Sequence, residues 1–98
     1  MPQIVYTPQS QTDILRCYHF LFEKDREAAC AAVKTIRQSL RILQRHPEIG
    51  RPAKGRPEGF REWNIEFGKS GYVALYHFDG HEIVVLAIKH QKEFGYRS

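Results

Sequence analysis

The sequence predicts an α+β domain in which an N-terminal strand and a helical hairpin pack in two layers on an antiparallel β-sheet. Three observations lead to this expectation. The 98 residues are enough for one small domain over residues 1–98 and leave no room for a second. The hydrophobic period changes once along the chain, from about 3.6 residues to about 2. Third, the predicted elements occur in the order β-α-α-β-β-β. In this order, two helices that need an apolar surface can share one sheet face.

The first half of the chain contains one short strand signal and two helical patterns. Residues 4–6 are β-branched or aromatic, and a proline closes this strand signal two residues later. Apolar residues then recur at helical spacing, which predicts a first helix over about residues 10–23. A second helix is expected over about residues 26–45. Asp25 is placed to cap its start, and Pro47 ends it because the residue before a proline disfavours helical geometry.

The second helix carries two stripes on different faces, roughly 135° apart at about 100° per residue. The apolar stripe consists of Ala29, Ala32, Val33, Ile36, Leu40 and Leu43. The cationic stripe consists of Lys34, Arg37, Arg41 and Arg45. We expect the apolar stripe to pack on the sheet. The cationic stripe could bind phosphate, but charged residues on the outer face of such a helix are usually a solvated surface.

The second half of the chain predicts a loop followed by a three-stranded antiparallel meander. Residues 46–59 hold three of the five prolines and three of the seven glycines, without periodicity. Residues 60–67 then alternate between two faces, as in a strand. A Gly-Lys-Ser-Gly turn leads to a second strand over residues 72–78. An Asp-Gly hairpin signal leads to a third over residues 82–89, and the first strand is expected to pair beside these last ones.

Composition and charge exclude several classes of protein. With 42% hydrophobic and 27% charged residues, the chain has the composition of a folded soluble domain and not of a disordered one. It has no apolar run near the roughly 20 residues of a membrane helix and no N-terminal targeting pattern, so we expect a cytoplasmic protein without membrane contact. Fifteen Lys and Arg against eleven Asp and Glu give a net charge of +4, which favours a polyanion or an acidic partner.

The cysteines do not indicate a metal site or a disulfide framework. Cys17 and Cys30 lie within the helical patterns, and no Cys/His metal spacing surrounds them. We therefore expect both to be reduced packing residues. No other spacing in the chain indicates a metal or an organic cofactor.

Four short motifs follow the helical hairpin in a fixed order. They are His46-Pro47-Glu48-Ile49-Gly50-Arg51-Pro52, Gly59-Phe60-Arg61-Glu62, Gly71-Tyr72-Val73-Ala74-Leu75-Tyr76 and Ile88-Lys89-His90-Gln91-Lys92-Glu93. In this order and spacing they resemble the RelE/ParE toxins of type II toxin–antitoxin systems, over essentially the whole chain. The resemblance implies a growth-inhibiting toxin whose cognate antitoxin wraps it and blocks its active surface.

The resemblance also implies a choice between two targets. Members like RelE are ribosome-dependent messenger-RNA nucleases, and members like ParE inhibit DNA gyrase. Nucleases resembling RelE have basic residues along the first meander strand and an arginine just after the Gly-Tyr of the next. Those positions here hold Asn64, Glu66 and Val73. This departure, with the Ile-x-His-x-Lys ending, favours a ParE-like inhibitor that carries no catalytic residues of its own.

A nuclease is the first alternative. Metal-independent RNA cleavage needs groups that activate a 2′-hydroxyl, stabilise the phosphorane charge and protonate the leaving oxygen. The candidates for these tasks are Arg61, His90, Lys92 and Tyr96. Each also has an ordinary structural interpretation: for His90 a hydrogen-bonded residue at a sheet end, and for Arg61 a salt bridge with a helix acid such as Glu23. A second alternative is a toxin-fold protein that has lost toxicity and serves only as partner of its antitoxin.

The basic residues suggest how the partners bind. The candidates for binding the target or the antitoxin are Arg51, Lys54, Arg56, Arg61 and Lys89. For the antitoxin we expect an acidic, amphipathic C-terminal segment that folds on binding, because the toxin is basic and small. Operator DNA is expected to be bound through the antitoxin, since no segment of this chain looks like a DNA-reading helix.

Overall fold

Two helices cover one face of a five-stranded sheet in the computed structural model, which describes residues 1–93, 95 and 96. The elements in chain order are β1 (Gln3–Tyr6), α1 (Pro8–Phe22), α2 (Arg26–Arg45), β2 (Arg51–Pro52), β3 (Phe60–Phe67), β4 (Ser70–Phe78) and β5 (Glu82–His90). The strand order in the sheet is β1-β5-β4-β3-β2. The predicted two-layer α+β fold is confirmed. Neither helix has the length and apolar character needed to cross a membrane, within the residues described.

The sheet is mixed, which differs from the wholly antiparallel sheet that we expected. Strands β3, β4 and β5 form the predicted antiparallel meander, and β2 extends it antiparallel to β3. Strand β1 pairs beside β5 as expected, but in parallel. The cause is the helical hairpin, because it returns the chain to the sheet by a crossover of the kind that parallel pairing requires. Strand β2 interrupts the segment 46–59 that the sequence predicted to be loop.

Helix α1 begins earlier than predicted, at Pro8 and not near residue 10. Thr7 is its N-cap, and the Thr7 hydroxyl accepts a hydrogen bond from the Ser10 N–H at 3.1 Å. Proline is favourable at the first helical position because its missing N–H would have no partner there. Pro8 therefore both ends the strand signal and starts the helix. Helix α2 matches its predicted span, and Asp25 caps it as expected.

The core lies between the helices and the inner face of the sheet. The apolar stripe of α2 packs there, with Ile36, Leu40 and Leu43 fully buried, while all four residues of the cationic stripe are exposed. Tyr72, Ala74 and Tyr76 of β4 line the same core. The predicted packing of the apolar stripe is thus confirmed, the cationic stripe lies on the surface, and the alternation in β4 is the expected one.

A buried carboxylate joins α1 to the sheet. Asp13 has no solvent exposure, and its two oxygens accept hydrogen bonds from the Ile88 backbone N–H at 2.9 Å and from the Gln9 amide at 2.8 Å. A buried charge is tolerated only with such partners. Arg16, on the next turn, lies 3.6 Å from Asp13 and donates a hydrogen bond to Glu93 at 3.0 Å. Helix α1 is therefore held against the end of β5 by polar contacts as well as by packing.

A register shift in β5 changes which side chains face the helices. Tyr76 pairs with Val85 and Leu75 with Ala87, so Leu86 is an extra residue, as in a β-bulge. Val85 and Ile88 both belong to the core under the helices, and Leu86 packs on the opposite face. The sequence had placed His90 in phase with Ile88 and Leu86. This interpretation is right for Ile88 and wrong for Leu86, because the bulge reverses the alternation.

Candidate functional site

The sheet face that the helices leave uncovered, here called the open face, carries a second and smaller apolar cluster. Its buried members are Ala53, Leu75 and Ala87, with Phe60, Leu86 and Tyr96 packed around them. Tyr96 comes after β5 in the chain and lies against this cluster. The open face is thus partly covered by the Tyr96 side chain.

Charged side chains surround Tyr96 and form the Tyr96 cluster, which consists of Arg51, Arg56, Glu62, Lys89 and Tyr96. The Tyr96 hydroxyl donates a hydrogen bond to a Glu62 carboxylate oxygen at 2.5 Å. The Lys89 Nζ lies 5.0 Å from the centre of the Tyr96 ring, and the Arg56 guanidinium carbon lies 5.9 Å from it. Arg51 completes the cluster with a 3.1 Å ion pair to Glu62.

The Tyr96 cluster attracts anions but does not present an activated base. Three cations surround one carboxylate, so two formal positive charges remain uncompensated on this part of the open face. Burial and the hydrogen bond to Glu62 raise the pKa of Tyr96. The phenol therefore stays protonated at neutral pH and acts as a hydrogen-bond donor. This arrangement suits binding of an anionic group better than proton abstraction.

Two side chains of the sheet hold the loop that precedes Arg51, and we call Tyr76 and Arg61 the loop clamp. The buried Tyr76 hydroxyl accepts a hydrogen bond from the Gly50 N–H at 3.0 Å and donates one to the Pro47 carbonyl at 2.7 Å. One Arg61 nitrogen donates to the carbonyls of Glu48, at 3.1 Å, and Gly50, at 2.7 Å. The clamp fixes the direction in which the chain enters β2.

Gly50 is required by this close approach. A Cβ atom at residue 50 would lie 2.7 Å from the Tyr76 hydroxyl and 2.7 Å from the Glu62 carbonyl oxygen. Since real Cβ contacts are longer than this, a larger residue would push the loop off the sheet. Arg51 follows directly in the chain, so the position of its side chain beside Glu62 depends on the clamp.

The structural partners of Arg61 are therefore carbonyl groups of the loop and not Glu23, the helix acid that the sequence suggested. Its guanidinium binds the carbonyls of the loop, and the Glu48 carboxylate lies 3.9 Å away. No contact to Glu23 is among its interactions in the described part of the chain. Only 24% of the Arg61 side chain is exposed. Its hydrogen-bonding capacity is largely used within the protein.

A cleft of about 540 Å³ lies between the second half of α1 and the ends of β4 and β5; we call it the α1 cleft. Its lining is Arg16, Cys17, Phe20, Leu21, Phe67, Ser70, Gly71, Tyr72, His90, Lys92 and Glu93. Phe20 lies at the rim with 64% of its surface exposed.

Burial raises the pKa of Cys17 to about 11, so its thiol is not a reactive thiolate at neutral pH. The packing role expected for Cys17 is confirmed, and the one expected for Cys30 is wrong, because Cys30 is exposed.

His90 is hydrogen-bonded through both ring nitrogens in the α1 cleft. The Lys92 backbone N–H donates to Nδ1 at 3.2 Å, and Nε2 lies 3.0 Å from the Ser70 hydroxyl. In a neutral ring the proton is therefore on Nε2 and is donated to Ser70. The ring also packs edge-on against Tyr72, with centroids 5.6 Å apart. This is the hydrogen-bonded histidine at a sheet end that the sequence offered as the structural interpretation.

The four nuclease candidates do not converge. Arg61 pairs with Tyr76 and His90 pairs with Tyr72, so they flank β4 at positions four residues apart, about 13 Å along the strand. Lys92 is exposed at the α1 cleft near His90. Tyr96 lies on the opposite face of the sheet.

The structure does bring together three of the five binding candidates. Arg51, Arg56 and Lys89 meet in the Tyr96 cluster, whereas Lys54 is exposed in the loop between β2 and β3. Sequence reasoning missed Glu62, the acid that links Arg51 to Tyr96. The alternation of β3 placed it on the face opposite Arg61 and could have identified it.

Within residues 1–93, 95 and 96, no group of three His, Cys, Asp or Glu could hold a metal ion.

Comparisons with known proteins agree with this geometry. A chain of the chromosomal ParDE toxin–antitoxin system from P. aeruginosa superposes with a TM-score of 0.76 at 23% identity, covering 92% of this chain and 96% of that one. A chain of the E. coli DinJ-YafQ toxin–antitoxin complex superposes with a TM-score of 0.62 at 16% identity, covering 96% and 98%. At these identities the likeness shows the fold alone.

Sequence comparison identifies the class. Toxin RelE3 of Caulobacter vibrioides is 26% identical over 93 residues, which cover 95% of this chain and 98% of that protein. Residues 4–94 match the family described as "ParE toxin of type II toxin-antitoxin system, parDE". The chain is thus a toxin of the RelE/ParE superfamily. Within that superfamily it belongs to the ParE toxin family of type II toxin–antitoxin systems.

The loop clamp predicts a measurable loss of stability in Tyr76→Phe. The change leaves the Gly50 N–H and the Pro47 carbonyl without their buried partner, so we expect the free energy of unfolding in urea to fall by about 1–3 kcal/mol. Tyr18→Phe is the matched control, because the Tyr18 side chain lies half-exposed on α1, contacts two neighbouring rings and forms no side-chain hydrogen bond with the residues that the structure describes. Its effect should stay within about 0.5 kcal/mol. Equal losses in the two variants would show that the clamp contributes nothing.

Proposed function

We propose that this toxin acts by binding, as a ParE-like inhibitor of DNA gyrase, and does not itself cleave RNA. The observation that carries the proposal is the separation of the nuclease candidates. Arg61 binds loop carbonyls, His90 binds Ser70, and Tyr96 binds Glu62 on the other face of the sheet. Cleavage by general acid–base catalysis needs such groups within hydrogen-bond reach of one phosphodiester.

The residues at the positions that are basic in RelE-like nucleases support the same conclusion. Asn64 accepts a hydrogen bond from Arg51 at 2.9 Å, and Glu66 is an exposed carboxylate on the same strand. Val73 is buried. None of these three side chains carries the positive charge that the basic residues of RelE-like nucleases would bring to a phosphorane, and Glu66 would repel the phosphate.

The direct test uses purified DNA gyrase, relaxed plasmid and ATP. We expect the full chain to block supercoiling and to leave cleaved plasmid, and we expect the cognate antitoxin, added beforehand, to prevent both effects. The same preparation is added to a translating extract, in which messenger RNA is analysed by primer extension. Cleaved messenger RNA with unaffected gyrase would overturn the proposal. If neither assay responds and induction does not arrest growth, the chain is a partner of its antitoxin without toxicity.

One observation favours the ribosome-dependent nuclease as the second candidate. In the Tyr96 cluster two cations, Arg56 and Lys89, approach one aromatic ring, and Arg51 joins the same cluster through Glu62. Aromatic rings flanked by cations are typical of surfaces on which RNA bases stack and phosphates bind. Glu62 partly neutralises this surface, which is why the inhibitor remains the better-supported function.

Tyr96→Phe separates the two candidates. If the Tyr96 hydroxyl transfers a proton during RNA cleavage, its removal should slow messenger-RNA cleavage by about 100-fold or more. Under the proposed function we expect the concentration of toxin that half-inhibits supercoiling to change by less than about threefold, since no proton transfer is involved. Unfolding measured in urea checks that the variant is folded. A loss of messenger-RNA cleavage of this size in a folded variant would contradict the proposal.

The partner of a type II toxin is its cognate antitoxin, and the α1 cleft is suited to bind it. The rim residue Phe20 offers exposed apolar surface, and Lys92 contributes an exposed cation beside it. This combination is complementary to the acidic, amphipathic segment expected of the antitoxin. An apolar side chain of that segment would enter the cleft while an adjacent carboxylate approaches Lys92.

Phe20→Asp tests this assignment. The change removes apolar contact and places a negative charge where an acidic segment would bind, so we expect affinity for the antitoxin, measured by calorimetry, to fall at least about tenfold. Leu15→Asp is the control, because Leu15 is another exposed apolar residue of α1, at 54% exposure, that does not line the cleft. Equal losses in both variants would place the antitoxin elsewhere on the toxin.

A further inference from the structure

We propose that the cationic stripe of α2, formed by Lys34, Arg37, Arg41 and Arg45, binds the phosphate backbone of duplex DNA. This is a third interaction surface, separate from the open face and from the α1 cleft. It does not depend on the proposed inhibition of gyrase. It also adds a contact made by the toxin itself to the operator binding that we expect through the antitoxin.

The stripe is straight and rigid. Its members are spaced by three, four and four residues, which keeps them within about 80° of one another over about 16 Å of helix. The apolar stripe of α2 packs against the core, with Val33 partly buried and its other five members fully buried. The helix therefore cannot turn, and the four cations lie on its exposed side, with the Arg37 guanidinium over the ring of Tyr6 in β1.

The four cations are not engaged by acids of the protein. All of them are exposed, and none forms an ion pair within the described part of the chain. The contact that Arg37 makes is with the ring of Tyr6, whose centre lies 5.7 Å from its guanidinium carbon. Glu27, near the start of α2, is the acid of this helix and precedes the stripe. A solvated helix face usually has both signs of charge; this one has four successive cations of one sign.

The chemistry of the stripe fits a phosphate backbone better than a protein. A protein interface needs an apolar core of anchoring side chains, and within α2 itself Ile42 is the exposed large apolar residue. Binding to DNA phosphates needs only Lys and Arg at intervals, because a duplex carries about one negative charge per 1.7 Å.

The shape of the surface favours DNA over double-stranded RNA. A helix of about 10–12 Å diameter can approach the major groove of B-DNA, which is about 12 Å wide, and reach phosphates on both sides. The major groove of A-form RNA is too narrow for this approach.

The test measures binding of the purified full chain to a fluorescent 20-base-pair DNA duplex by anisotropy, in the absence of gyrase and antitoxin. If all four cations bind phosphates, the slope of log K against log salt should be about −3.6, so that affinity falls about 50-fold between 50 and 150 mM salt. Lys34→Gln with Arg41→Gln should halve the slope, which leaves a fall of about sevenfold. Both side chains are exposed, and neither forms an ion pair in the described part of the chain, so the variant should remain folded.

A control of equal charge distinguishes the stripe from net charge. Lys24→Gln with Lys69→Gln removes two exposed lysines that lie outside the stripe, and this variant should keep the slope of the unchanged protein. An equal loss of slope in both double variants would overturn the proposal, as would the absence of binding at 50 mM salt. Equal affinity for an RNA duplex of the same sequence would overturn the assignment to DNA. If the chain binds the DNA duplex but does not inhibit supercoiling, the result counts against the proposed function and not against this surface.

Discussion

The buried hydroxyl of Tyr76 is the contact on which the organisation of the site depends. It lies in the core under the helices, yet it accepts a hydrogen bond from Gly50 and donates one to Pro47 in the loop outside the sheet. Arg61 adds two further hydrogen bonds to the same loop. Unpaired polar groups at this depth would be costly. The loop therefore has one position, and Arg51 is directed toward Glu62 on the open face.

This connection explains why motifs far apart in the chain belong together. The His-Pro motif supplies the loop, the Gly-Phe-Arg-Glu motif supplies Arg61 and Glu62, and the Gly-Tyr motif ends in Tyr76. Gly71, at the start of that third motif, is needed because a Cβ there would overlap the Ile65 carbonyl of the neighbouring strand. The residues that carry the family resemblance are thus mainly structural. Membership in the family and choice of target are separate questions, because a fold supports several functions through different surface residues.

The small domain presents three distinct surfaces. The Tyr96 cluster occupies the open face, the α1 cleft lies at the boundary between helix and sheet, and the cationic stripe occupies the outer side of α2. The cleft and the cluster share no residue. Two layers make this possible, since each layer has one side in the core and one side outside it.

The order of the elements, the two stripes of α2 and the alternation of β3 could be predicted from the sequence, because these features depend on local periodicity. The capping role of Asp25 is local in the same way. The candidate site was only partly predictable. The cations Arg51, Arg56 and Lys89 were identified from the sequence, but their meeting around Tyr96 requires the Tyr96 side chain to lie against the open face. The bulge at Leu86 and the parallel pairing of β1 likewise depend on contacts between distant strands. Tertiary structure alone decided that Arg61, His90 and Tyr96 lie apart, because sheet register and face are set by long-range packing and not by the neighbours of a residue in the chain.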